Sequence, residues 1–217
     1  MTLRTRLRTL AATIALGVGL CSFETSAHPH VWVGTSAEFQ FDSAGLVTAV
    51  KVIWRFDDLY STFAIQGADA DKDGVTTHAE LVALGGENVK FLKEWNYFTD
   101  LRIDGTPLDV GDVASFDNRD DDGILEFSFT LPLDYPVDPT RHRLRMASFD
   151  PSYYVAFEID SARPATASGP VPDGCGVFTY GPDETPKTVN DSLAASLAAD
   201  ADWAAGFAPK VTIECGG

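Results

Sequence analysis

The sequence predicts a mainly β protein: a sandwich-like, antiparallel arrangement with one helical insertion and a short C-terminal helix, α+β overall. Three observations carry this expectation. Short runs rich in β-branched and aromatic residues recur along the chain, separated by turn signals such as DSAG at 42–45, Asp104-Gly105 and DDDG at 120–123. Helical spacing of apolar residues is confined to a stretch around 58–98 and to an alanine-rich segment near the C-terminus. Apolar residues make up 45% of 217 positions, enough for one substantial core and outside the disordered class.

The elements follow in order. HVWVGTSAEFQF and GLVTAVKVIWRF read as paired strands, the second supplied by Val47, Val50, Val52, Ile53 and Trp54. DDLYSTFAIQGA changes character, with Leu59, Phe63 and Ile65 near helical spacing. AELVALGGENVKFLKEWNYF reads as a further helix with Leu81, Leu84, Val89, Leu92 and Trp95 apolar, and Gly85-Gly86 predicts a bend or a break into two. The chain then returns to β: DLRIDGTPLDV, a hairpin over ASFDNRDDDGILEFSFTLPL, and strands in HRLRMASFD and SYYVAFEID broken at Asp150-Pro151. SARPATASGPVPDG is a loop, residues 188–208 form the alanine-rich helix candidate with Asn190 or Asp191 as its cap, and PKVTIECG is a last strand.

The first residues predict export. Arg4, Arg6 and Arg8 precede an apolar stretch, AATIALGVGLC, too short to span a bilayer, and ETSA ends in the small-residue pattern of a cleavage site after Ala27. Cys21 raises a lipoprotein alternative, which the bulky Leu20 before it disfavours. Residues 1–27 are thus read as a signal peptide and 28–217 as one β-rich domain with a helix-loop-helix insertion at about 58–98, periplasmic and not itself membrane-spanning. The formal net charge is −16; removal of Arg4, Arg6, Arg8 and Glu24 leaves 13 basic and 31 acidic side chains, a net of −18. Such an excess argues against nucleic acid and anionic membranes as partners and favours cations. The cysteines left, Cys175 and Cys215, read as one disulfide in an oxidising compartment.

The most specific motif is DADKDGVTTHAE, which fits D-x-D-x-D-G-x5-E. Asp69, Asp71 and Asp73 stand at the first, third and fifth positions of an EF-hand-like loop, and Gly74 at the sixth, where the chain turns sharply. Val75 offers its carbonyl at the seventh, Thr77 a hydroxyl or water at the ninth, and Glu80 a two-oxygen carboxylate at the twelfth. Calcium is a hard cation that takes roughly 6–8 oxygen ligands, and this spacing wraps them around one point. Thr76 holds the eighth position, where an aliphatic residue usually meets a second hand, and no second full loop exists. The expectation is therefore a structural calcium.

Two of the four histidines, His28 and His30, flank Pro29. After cleavage at Ala27, His28 would carry a free α-amine beside its imidazole, and His30 would add a third nitrogen, a set suited to nickel, cobalt, zinc or copper. Pro29 has no amide proton to lose, which excludes the square-planar amino-terminal clamp. The plainer alternative is a mobile polar terminus. His78 is read as solvent-facing and His142 as a surface histidine at a strand end. No nucleophile is paired with a histidine, and there is neither a phosphate loop nor GxGxxG, so no enzyme is expected; a copper histidine-brace activity is the remote exception.

AHPHVWV, WRFDDLYS, DADKDGVTTHAEL, YFTDLRIDG and FDPSYYVAFE together resemble a bacterial family, the domain-of-unknown-function family 1007, described as the periplasmic component of an uncharacterised ABC-type transport system. The resemblance runs from about His28 to Cys215. It implies a periplasmic role in metal handling beside a membrane metal permease or ABC-type transporter. His28 and His30 match the amino-terminal motif. Asp57, Asp58 and Tyr60 match W-x-F-D-x-x-Y-S, either near a metal or shaping a strand-to-helix junction. The function expected is a periplasmic metal-binding accessory protein that handles a transition metal for a transporter and holds calcium in its loop. A solute-binding component of an ABC-type transporter and a calcium-dependent interaction module are the alternatives.

Overall fold

The computed structural model describes residues 29–182 and 205–216. Two sheets face one another. The first runs β5 (Ser115–Asp121), β6 (Ile124–Val137), β2 (Val47–Phe56), β1 (Val31–Phe41) and β8 (Val155–Ile159), with β9 (Thr166–Ser168) also on β1. The second runs β10 (Cys175–Tyr180), β11 (Lys210–Cys215), β7 (Leu144–Ser148), β3 (Thr99–Ile103) and β4 (Thr106–Leu108).

Pairing is antiparallel except along one edge of β1, where β8 and β9 run parallel to it. The mainly β, antiparallel sandwich expected from the sequence is what forms, with this one edge added in parallel. The chain leaves the first sheet after β6, builds β7 into the second, and returns to β1 by a crossover, which permits parallel pairing. Turn chemistry fixes the hairpins. Asp104-Gly105 joins β3 to β4 and Asp122-Gly123 joins β5 to β6, each with both residues at positive φ, the two-residue turn whose twist matches antiparallel strands.

The core lies between the sheets. Phe39, Val50, Phe127 and Phe129 of the first sheet meet Leu101, Leu144, Met146 and Ile213 of the second, all essentially fully buried. Trp54 stands at the centre of an aromatic cluster: Phe129 lies edge-on at 5.1 Å, Phe157 at 5.2 Å and Phe127 at 6.0 Å. Its indole N–H donates to Ser148 Oγ at 3.3 Å, and the Ser148 and Thr35 hydroxyls are 3.0 Å apart. This buried polar knot ties β1 and β2 to β7. A one-residue slip of either sheet would break it, so it specifies register as well as satisfying its own groups.

Between β2 and β3 the chain forms α1 (Asp58–Ala68), α2 (His78–Leu92) and a 3-10 segment (Lys93–Phe98). Asp57 caps α1 through the Tyr60 amide at 2.9 Å, and its other oxygen accepts the Trp32 amide, also at 2.9 Å. That carboxylate thus shapes the strand-to-helix junction and ties it to β1. Ser61 docks α1: it is fully buried and its hydroxyl accepts the Leu125 amide of β6.

The bend expected at Gly85-Gly86 is absent; α2 is continuous, and Gly85 is where it presses on β5. A Cβ at Gly85 would stand 2.9 Å from the Asn118 Cβ, and Asn118 is fully buried with its amide donating to the Leu81 carbonyl. At Gly86 an added Cβ would meet only the Phe116 ring, at 3.5 Å. Gly85→Ala is therefore expected to lower stability by about 1–3 kcal/mol through overpacking. Gly86→Ala is expected to be neutral or to gain up to about 1 kcal/mol from helix propensity. Urea denaturation of the two variants side by side checks this; equal effects would refute the packing role of Gly85.

The helix expected through Phe98 stops at Leu92. Asn96, Tyr97 and Phe98 are all left-handed, at φ 50°, 53° and 47°. Three such residues in succession, none of them glycine, cost about 1–2 kcal/mol each. Packing holds them: Tyr97 is buried on Phe129, and Phe98 lies against Trp54 and Phe157. The helix expected at 188–208 lies largely outside the described residues; Ala205–Phe207 within it form a single 3-10 turn.

Candidate functional site

The loop between α1 and α2 is built by its own carboxylates. Asp69 accepts the Lys72 amide at 2.7 Å and the Gly74 amide at 2.9 Å, folding the chain back over itself. Asp71 accepts the Asp73 amide, and Asp73 the Val75 amide. The sharp turn places Lys72 at φ 62° and Gly74 at φ 86°, a conformation that glycine adopts without the steric cost a side chain brings. The result brings one oxygen each of Asp69, Asp71 and Asp73 within 4.8 Å of one another. Like charges at that distance repel, and a hard cation among them would offset this.

Thr77 and Glu80 do something else. They form a capping box at the start of α2: Thr77 Oγ1 accepts the Glu80 amide, and the Glu80 carboxylate accepts the Thr77 amide at 2.8 Å. Its other oxygen takes the Ala70 amide at 2.8 Å. These donors, the Thr77 amide and hydroxyl first, hold the Glu80 carboxyl below the ordinary range. Glu80 therefore lies outside the group of three aspartates and would have to turn from Ala70 and Thr77 to close a calcium shell. Thr76 ties the loop to α1 by donating to the Ile65 carbonyl at 2.8 Å. His78 leaves the loop to meet Asp117 of β5 at 2.8 Å. The residues present fit a hard cation at three carboxylates and leave the fourth engaged with the backbone.

His28 lies outside the described residues. His30 is exposed at the start of β1, its ring 4.8 Å from that of Tyr154 and its amide bonded to the Tyr154 carbonyl. The loop aspartates and His30 therefore sit on different elements, and the carboxylate group found among the described residues comprises Asp69, Asp71 and Asp73. His142 meets Asp104 at 2.7 Å at the β3–β4 turn.

Behind Tyr154 the structure opens a pocket of about 410 Å³ that sequence reasoning missed. It lies where β1, β2 and β8 meet α2 and the left-handed turn. Trp54, Phe56 and Phe157 line its strand side, and Phe91 and Trp95 its helix side. Tyr60 stacks on Phe56 at 4.6 Å, and burial first, then the nearby Tyr154 and Asp57, raises its hydroxyl above the ordinary range. The signal was present in the aromatic content of WRFDDLYS, WNYF and SYYVAF. What was absent was any indication that these stretches converge.

Cys175 and Cys215 are cross-strand neighbours in β10 and β11 and form the expected disulfide, a bond characteristic of oxidising compartments. Among the described residues no helix is long and apolar enough to cross a membrane.

The fold and these sites define a mainly β, disulfide-bonded protein carrying an acidic helix-loop-helix between its second and third strands. The chain belongs to the family described as protein of unknown function (DUF1007), whose profile matches residues 13–215. No curated protein matches the sequence.

Proposed function

We propose that the chain is an exported, periplasmic metal-binding accessory protein. Calcium is held by Asp69, Asp71 and Asp73, with the Val75 carbonyl, Thr77 and Glu80 completing its oxygen set. His28 and His30 take up a transition metal, nickel, cobalt, zinc or copper, in the service of a membrane permease or ABC-type transporter. The observation that carries the reading is the convergence of three aspartates in a loop flanked by two helices, with the glycine turn the motif requires. Calcium there stiffens the link between α1 and α2, and α2 rests on β5, so the ion's role is structural. The acid excess of the chain, together with the free α-amine that cleavage after Ala27 gives His28, supports the second site.

Calorimetric titration of protein beginning at His28 tests both parts. One calcium per chain is expected, lost in Asp71→Ala, with a calcium-dependent rise in Tm that the variant lacks. Binding of a transition metal is expected to fall in His28→Ala and His30→Ala, and to weaken when one residue is added before His28. Unchanged affinity in Asp71→Ala refutes the loop site; unchanged affinity in both histidine variants refutes the terminal one.

A further inference from the structure

We propose that the aromatic pocket behind Tyr154 binds a small organic cation, an alkylated ammonium carrying an apolar substituent. The inference goes beyond the metal reading and does not depend on it. Nine of the fifteen residues lining the pocket are aromatic, and none is lysine, arginine or histidine. At about 410 Å³ it falls in the range of small-molecule sites. Its rim is open to solvent, since Trp95 and Tyr154 are about half exposed and Phe91 more so.

Charge selects the occupant. Asp150 lines the wall, is only 5% exposed, and forms no ion pair among the described residues. Its oxygens accept the Ser152 amide and hydroxyl and the Val155 amide, all of them uncharged donors. Asp57 adds a second negative charge beside Tyr60, its own bonds likewise coming from uncharged amides. Ring faces carry the negative side of the aromatic quadrupole, and a cation within about 6 Å of several such faces is attracted to all of them. A pocket walled by rings, with a buried carboxylate and no basic group, disfavours anions and gives a neutral molecule nothing beyond contact. A bare metal ion finds too few oxygens here; an alkylated ammonium matches both the apolar wall and the sign of its field.

The strained turn supports the reading. The left-handed run at Asn96–Phe98 sets Phe98 into the pocket wall and leaves Trp95 at its rim, and Tyr153, before the rim residue Tyr154, is left-handed too, at φ 55°. Strain of this kind gathers where a surface is shaped for a ligand.

The test compares benzyl(hydroxyethyl)dimethylammonium with the neutral alcohol that has carbon in place of its nitrogen, on the full mature chain in EDTA. Trp54 and Trp95 line the pocket, so tryptophan fluorescence and calorimetry both report binding. Saturable binding with one ammonium per chain is expected, about tenfold tighter than the neutral isostere, and weakened about tenfold in Trp95→Ala. Trp95 is half exposed, so its loss spares the core, and Phe91→Ala gives a second variant with the same expectation. Equal or tighter binding of the neutral alcohol, unchanged affinity in both variants, or no saturable binding of the ammonium overturns the proposal. Because EDTA is present throughout, failure here leaves the metal reading untouched, and failure of the metal titrations leaves this one standing.

Discussion

Trp54→Ala is expected to lower the free energy of unfolding by about 3–5 kcal/mol, the upper range for truncating a buried aromatic residue. Trp54 is 3% exposed and packs against Phe127, Phe129 and Phe157 while reaching Phe98 in the turn. Removing it opens a cavity that the strands on either side can fill only by giving up their pairing. It also removes the N–H donated to Ser148, leaving that hydroxyl with Thr35 and the Met146 sulfur. A second effect follows from the turn. Asn96, Tyr97 and Phe98 stay left-handed because packing pins them, and Phe98 rests partly on Trp54. The variant is therefore expected to loosen residues 95–98 before it unfolds, seen as faster amide exchange at Thr99 and Phe149, whose amides bond to Asn96 and Phe98. Trp54→Phe keeps most of the ring contact and loses the hydrogen bond, so about 1–3 kcal/mol is expected of it. A loss below about 1 kcal/mol in the alanine variant would show that the cluster is not what joins the sheets.

The β character was legible because turns announce themselves. Asp-Gly at 104–105 and 122–123 allows the left-handed pair a tight hairpin needs, and β-branched and aromatic residues mark the strands that flank it. The loop aspartates were legible because their spacing is fixed by what they bond to: each holds an amide two to five residues on. Other features depended on contacts far apart in sequence. The parallel addition of β8 to β1 joins Val31 to Val155, and no local pattern encodes that partner. The run at Asn96–Phe98 contains no glycine to mark it, and its conformation is set by Phe129, Trp54 and Phe157 on other strands. Gly85 looked like a helix breaker because propensity was read without its neighbour; Asn118 across the interface is the reason for it. The pocket was invisible for the same cause, each wall coming from a separate stretch whose aromatic residues read, one at a time, as ordinary core.

The disulfide carries an effect of similar size. Cys175 and Cys215 are 40 residues apart, and in the chain-entropy account a loop of that length is worth about 3–4 kcal/mol. In the fold the bond joins the ends of β10 and β11, and among the described residues β10 is the outermost strand of its sheet, with β11 beside it. β11 is buried from Lys210 to Ile213: Val211 and Ile213 are buried against the first sheet while its edge pairs with β7. The bond thus protects the attachment of an edge strand, whereas the core of the sandwich has its own packing. Cys175→Ala/Cys215→Ala is therefore expected to lose about 3–4 kcal/mol in urea denaturation and to show the loss first at β10, through exchange of the Gly176 and Phe178 amides, which face β11. Reduction of the wild type by dithiothreitol should give the same loss. The double variant should not respond to the reductant at all. A variant as stable as wild type, or one that still responds to dithiothreitol, would mean that this bond is not the one supporting the second sheet.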